Sequence, residues 1–292
     1  MNPQENTAHA LDSLRWYAEM GVDVCVEATP QPVKKERAEA ILPPPAAGGA
    51  THALSRDSLA EARTGRATRT PDGAPLPLTQ GGGTTPPPSL AAAVAEARQL
   101  ADAAHDLTAL EEAVRGFTGC ALKKTATTTV FAQGVAASRV MFIGEAPGAE
   151  EDRNGVPFCG PSGQLLDRML GFIGLTRTEN FYITNALFWR PPGNRQPSKE
   201  ELAICRPFVE KHIALINPRL LVLVGGTATS AILGDTRGIT RLRGQVFTYR
   251  NDYMPAEVPV HVLYHPSYLL RQPLAKKQAW ADILKLKMAL TH

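Results

Sequence analysis

Four short runs constrain this chain more than any other feature: Val140 to Glu145, Phe181 to Leu187, Leu220 to Gly225 and Val260 to Tyr264. Each is apolar, rich in β-branched or aromatic residues, and free of polar alternation, which is the pattern of a strand covered on both faces. Helical patterns lie between and after them, at Ser162 to Ile173, Ser198 to Ile216, Thr227 to Leu233 and Lys276 to Leu290. Strands alternating with helices predict an α/β fold, a three-layer α-β-α sandwich around a central four-stranded, mostly parallel sheet. Ligands of such sheets bind beyond the carboxyl ends of the strands. The four strands run into GEAPG, TNALFWRPPGNR, GGTATS and HPSYLLR, so the Gly, Pro and polar chemistry gathers along one sheet edge.

The rest of the chain divides by composition. Within residues 1–27, Leu11, Leu14, Tyr17 and Met20 recur at spacings of three and predict one amphipathic helix over Ala8 to Val26. It is too short to fold alone, so it is expected to dock on a protein partner or back on the domain. Residues 28–89, with PPPAAGGA and GGGTTPPPS, lack both periodicity and aliphatic content and are expected to form a disordered linker. Residues 90–292 have the composition of a folded domain, opening with an Ala-rich helical stretch to about Arg115. A net charge of +3 permits a polyanionic partner without requiring one, because a local patch rather than the total binds phosphate. The N-terminus has no apolar signal region, and no stretch is apolar for long enough to span a bilayer, so no membrane partner is expected and a cytoplasmic location is. Cys25, Cys120, Cys159 and Cys205 are too few and scattered for a disulfide framework and read as free thiols.

At the sheet edge, Gly144, Pro147 and Gly148 would force a sharp turn that exposes backbone N–H groups, beside carboxylates at Glu145, Glu151 and Asp152. An isolated turn of this kind would be an ordinary strand-to-helix connection. Here Pro157 and Phe158 follow at short range, and an aromatic held by a proline suits a pocket that stacks a flat ring. Asn185 stands at a strand end, where a lone Asn is an ordinary turn residue. His265 ends a buried strand and precedes a proline.

The run GEAPG, then Glu-Asp, then GxPFxGxxGxLLD, resembles the first motif of family 4 uracil-DNA glycosylases. TNALFWRPPGNRQPS is similar to that family's second block, and ITRLRG followed by YHPSYLLRQP to its C-terminal block, the whole spanning roughly Gly119 to Leu290. The resemblance implies a monofunctional, monomeric enzyme that flips uracil out of single- or double-stranded DNA and hydrolyses its N-glycosidic bond in base excision repair. By the same resemblance Asn185 would bond uracil O4 and N3–H, Phe158 would stack on the base, and Glu151 would lie near the C5 edge and exclude thymine. His265 would donate to O2 as the uracil anion departs. Related families place an Asp where this chain has Ala146, which leaves Glu145 as the candidate for positioning or activating water. Arg190, Arg195, Arg241, Arg243 and Arg271 are candidate phosphate contacts, and Leu269, Leu270 and Arg271 resemble a loop that fills the gap left by a flipped base. The competing readings are a catalytically impaired protein that binds uracil or abasic sites in DNA, and a nucleotide- or phosphate-binding α/β protein.

Family 4 enzymes generally carry a [4Fe–4S] cluster on four cysteines. Aligned on the motifs, this chain has Phe117 and Cys120 for the first pair, then Trp189, then Cys205. Irons of a cluster need thiolates, so the expectation is no cluster and no other cofactor, with Phe117 and Trp189 packing around Cys120 and Cys205 as a hydrophobic plug.

Overall fold

The computed structural model describes residues 14–21 and 89–291. The linker expected over residues 28–89, apart from Ser89, lies outside the described residues, as do Cys25 and both ends of the expected N-terminal helix.

The sheet has six strands rather than the four expected. Their order is β1 (Ala132–Gly134), β3 (Tyr182–Asn185), β2 (Val140–Gly144), β4 (Leu220–Val224), β6 (Val258–Leu263) and β5 (Val246–Tyr249). The four strands read from the sequence form its continuous parallel centre. The two additions are antiparallel edges, β1 on β3 and β5 on β6. Both escape the apolar-run criterion for the same reason: an edge strand is only partly covered. β1 is the short, polar AQG, and in β5 Val246 is 62% exposed.

Alternation along the central strands sends side chains to two cores. Met141, Ile143, Leu221, Leu223, Val260 and Val262 pack beneath helices α1 (Leu90–Ala103), α2 (Leu107–Gly116) and α5 (Lys199–Ile216). Val140, Phe142, Ile183, Leu220 and Val222 pack on the other face, against α4 (Pro161–Gly171) and α9 (Lys276–Thr291). Helices therefore cover both faces, giving the three-layer sandwich. The single helix expected from Leu90 to Arg115 is two, because Asp106 accepts a hydrogen bond from the Ala109 N–H at 2.8 Å and caps a new start. Shorter helices line the carboxyl edge: α3 (Ala149–Asn154), α6 (Gly226–Leu233), α7 (Ile239–Leu242) and α8 (Pro266–Arg271).

Residues 14–19 are helical and dock back on this fold. Trp16 is fully buried and stacks on Trp280 of α9 with ring centroids 5.0 Å apart, while Lys276 Nζ donates to the Met20 carbonyl.

Candidate active site

The parallel register sets the site. Gly144 pairs with Asn185 at the carboxyl ends of β2 and β3, and β4 and β6 end alongside at Gly225 and just before His265. A cavity of about 820 Å³ opens there, lined among others by Glu145, Phe158, Asn185, Gly225, His265 and Arg271. The four principal residues read from the sequence therefore share one pocket.

Its floor is crowded. A Cβ on Gly144 would sit 2.3 Å from Phe158 Cζ and 2.5 Å from Asn185 Oδ1, so only glycine lets ring and amide approach each other here. Asn185 is 1% exposed, and neither its Oδ1 nor its Nδ2 has a hydrogen-bond partner. No protein group engages either amide atom, although buried polar atoms as a rule have a partner. An amide left in this state at a pocket floor is set up to meet a ligand that offers one donor and one acceptor side by side.

Phe158 walls the pocket. It is buried and adopts a left-handed backbone conformation (φ 53°), unusual for an aromatic residue. Its ring lies 5.7 Å from that of His265 at 32°. His265 is the N-cap of α8; its Nδ1 accepts from the Ser267 N–H at 3.2 Å and lies 2.8 Å from Ser267 Oγ. An Nδ1 that accepts from a backbone N–H leaves the ring proton on Nε2. Burial, reinforced by the Arg271 charge, pushes the His265 pKa down to about 4, so the imidazole is neutral at physiological pH and acts as a donor. Glu145 is half-buried on the cavity wall, and among the described residues its carboxylate has no hydrogen-bond or ion-pair partner.

Other residues read from the sequence hold the frame. Glu151 accepts from the Gly148 N–H at 3.0 Å and the Gly160 N–H at 2.9 Å, so both its oxygens tie the two ends of the loop that carries Phe158. Arg195 pairs with Glu201 and Arg243 with Asp282, in each case through two guanidinium nitrogens. Arg190 donates to Asn194 Oδ1 at 2.6 Å and lies 4.0 Å from buried Asp152. Arg241 and Arg271 are exposed, and of these two Arg271 borders the cavity. The Leu269–Leu270 pair divides: Leu269 is fully buried in the core and Leu270 is 43% exposed beside Arg271. Two residues that the sequence reading left unassigned also hold the site. Asp152 accepts from the N–H groups of Thr127 and Thr128, and Arg177 reaches the backbone of Pro157 and Phe158. Arg177 has no local sequence signal; Asp152 stands in the Glu-Asp pair of the first motif, but its partners lie 24 and 25 positions away.

Cys120 and Cys205 are fully buried, and the neighbouring Cys120 thiol together with burial pushes the Cys205 thiol well up. Phe117 and Trp189 are buried in the same core with ring centroids 6.4 Å apart, Phe117 meets Phe208 edge-on at 5.2 Å, and Trp189 Nε1 donates to Thr129 Oγ1 at 3.0 Å. Two thiols and two packed aromatic side chains do not fit a cluster that needs four thiolates. Among the described residues no group of three or more His, Cys, Asp or Glu is placed to hold a metal ion.

Fold and site together define an α/β protein with an open cavity of mixed polar and apolar lining at the carboxyl edge of its parallel strands. Residues 131–284 match the family model described as the uracil DNA glycosylase superfamily, and the chain belongs to that superfamily. It is 39% identical over 163 residues to a type-4 uracil-DNA glycosylase of Thermotoga maritima, covering 56% of this chain and 82% of the relative. Type-4 enzymes of Archaeoglobus fulgidus (37% over 171 residues; 57% and 84%) and Sulfurisphaera tokodaii (35% over 191 residues; 63% and 86%) are similarly related.

Proposed function

We infer that this protein excises uracil from DNA by hydrolysis of the N-glycosidic bond, leaving an abasic site. The unpartnered, buried amide of Asn185 carries this reading. Uracil presents O4 as acceptor beside N3–H as donor, which an amide satisfies with Nδ2–H and Oδ1. Cytosine presents the reverse order and would leave the same atoms unpaired in a dry site. Phe158 stacks on the flipped base, and the loop that Glu151 ties closes the side where the C5 edge would lie, so a thymine methyl meets a wall rather than solvent.

In the reaction the C1′–N1 bond breaks and its electron pair leaves with the base. The neutral His265 donates its Nε2–H to uracil O2 as charge collects there, and Glu145 orients the water that attacks C1′. Leu270 and Arg271 are the exposed pair at the rim suited to the gap in the duplex and to an adjoining phosphate. Arg190, Arg195, Arg243 and buried Leu269 act behind them by shaping the loops, and exposed Arg241 is a further phosphate contact. The catalytic unit is residues 90–292, working as a monomer, without an iron–sulfur cluster, on single- or double-stranded DNA in the cytoplasm. No described helix is long and apolar enough to cross a membrane.

The test is incubation with single-stranded and U·G duplex oligonucleotides followed by alkaline cleavage of abasic sites. Uracil release with strand scission supports the reading. Tight binding without release would instead support a DNA-binding protein that has lost turnover.

A further inference from the structure

We propose that Arg177 is a positioning residue for base recognition, a clamp that holds the Phe158 wall at stacking distance. This rests on the uracil-excision reading above.

Arg177 lies on the segment before β3, outside every block that resembles a known motif. Its side chain is only 12% exposed and has four acceptors. Nε donates to Asp167 Oδ1 at 2.8 Å, and Nη1 to Gln133 Oε1 at 2.8 Å and the Pro157 carbonyl at 2.6 Å. Nη2 donates to the Phe158 carbonyl. Asp167 belongs to α4 and Gln133 to edge strand β1, so the guanidinium is fixed by the scaffold on one side and fixes the loop on the other.

The loop needs such a hold. Phe158 has φ 53°, a conformation that costs about 1–2 kcal/mol for a residue with a side chain. A left-handed residue turns its carbonyl away from the neighbouring ladder, and here that carbonyl is trapped from two directions. Gly163 lies directly beneath it, where a Cβ would come within 1.6 Å of the Phe158 oxygen, and Arg177 covers it from the other side. Both constraints set the peptide plane, and the peptide plane sets where the ring stands over Gly144 and beside His265. Without the guanidinium the Phe158 peptide is free to relax toward negative φ, which withdraws the ring from the slot.

A double-mutant cycle tests this, using Arg177→Ala, Phe158→Ala and the double variant of the full chain. The readouts are kcat/KM for uracil excision, the inhibition constant of free uracil, and affinity for a uracil-free oligonucleotide. Arg177→Ala is expected to weaken inhibition by free uracil roughly tenfold, the scale of losing one charge-assisted hydrogen bond, with binding of uracil-free DNA unchanged. In the Phe158→Ala background the same substitution should change kcat/KM less than about twofold, because residues that act through one another are not additive. Should Arg177→Ala fail to fold, Arg177→Lys keeps the charge and loses the planar fork, and enters the same cycle. Additive losses, or an unchanged inhibition constant, overturn the clamp. No release of uracil by the unaltered protein would overturn the functional reading instead, so the two failures are distinguishable.

Discussion

Replacing Asn185 with alanine should separate stability from function in opposite directions. A buried amide atom without a partner costs about 1–3 kcal/mol, and Asn185 carries two of them. Truncation removes both penalties and forfeits about 1 kcal/mol of packing by the one lost apolar-like carbon. The net is a gain of at least about 1 kcal/mol in the ligand-free protein, or about 2–4 °C in Tm for a domain of about 200 residues. The same substitution deletes two hydrogen bonds to the base. At about 1.5 kcal/mol each they amount to about 3 kcal/mol, so excision should fall roughly a hundredfold. Thermal melts with and without free uracil, run beside an excision assay, read both effects. The unaltered protein should gain Tm with uracil, and the variant should start higher and gain nothing. A variant that melts several degrees lower and still excises uracil would refute the argument, since Asn185 would then be a structural residue whose amide is satisfied.

Excision should fall as pH drops through about 4, where His265 takes a proton on Nδ1 and can no longer accept the Ser267 N–H that holds the ring with Nε2–H toward the pocket; a midpoint near 6.5 in the acid limb of kcat would contradict the burial argument. His265 and fully buried His212, whose pKa burial lowers to about 3, both bind protons less readily than unfolded histidine near 6.5. Their contribution to stability is therefore complete above about pH 6.5 and is lost progressively as pH falls below it, which melts at pH 7 and pH 4.5 should show as a lower Tm at the acid value. Gly144→Ala should cost more than about a hundredfold in excision with far-UV circular dichroism unchanged, since the nearest atoms its Cβ meets are those of the Phe158 ring and the Asn185 amide; near-normal turnover would show that the ring and amide do not work at that distance. Glu145→Gln should lose several orders of magnitude in single-turnover excision while inhibition by free uracil is retained, and parallel loss of both would make Glu145 a binding group instead. Protein purified anaerobically should carry no stoichiometric iron and no absorption near 400 nm; an iron content of several atoms per chain would overturn the aromatic plug around Cys120 and Cys205.

What could be read from the sequence follows physical lines. The central strands were legible because burial on both faces forces an unbroken apolar run, as in LLVLV of β4. The edges were not, because β1 and β5 meet solvent and carry mixed residues. Asn185, Glu145 and His265 were legible because each sits at or just beyond a strand end within a local motif, and Phe158 because the first of those motifs runs on to it. Their supports were legible only in part: Asp152 stood in the motif, but what it and Arg177 hold in place is brought near only by the fold. Glu151 and Arg195 show a further limit. A charged residue in a site motif reads as a ligand contact, yet in the fold Glu151 is spent on two backbone N–H groups and Arg195 on Glu201.

The packing around Cys120 and Cys205 bears on the pocket as well. The cluster positions and the base slot lie on connected stretches: Trp189 follows Asn185 by four residues, along a buried run from Phe181 to Trp189. Whatever fills the space around Trp189 therefore fixes the strand end that presents the amide. In this chain that space is filled by Phe117, Trp189 and Phe208, tied through the Trp189 indole to Thr129, next to the segment that Asp152 anchors. Close packing of this kind has little room to relax, so it can hold an unsatisfied amide and a left-handed phenylalanine in place. A rigid aromatic core can thus position Asn185 from behind, so Phe117→Ala or Trp189→Ala should weaken inhibition by free uracil although neither side chain lines the cavity.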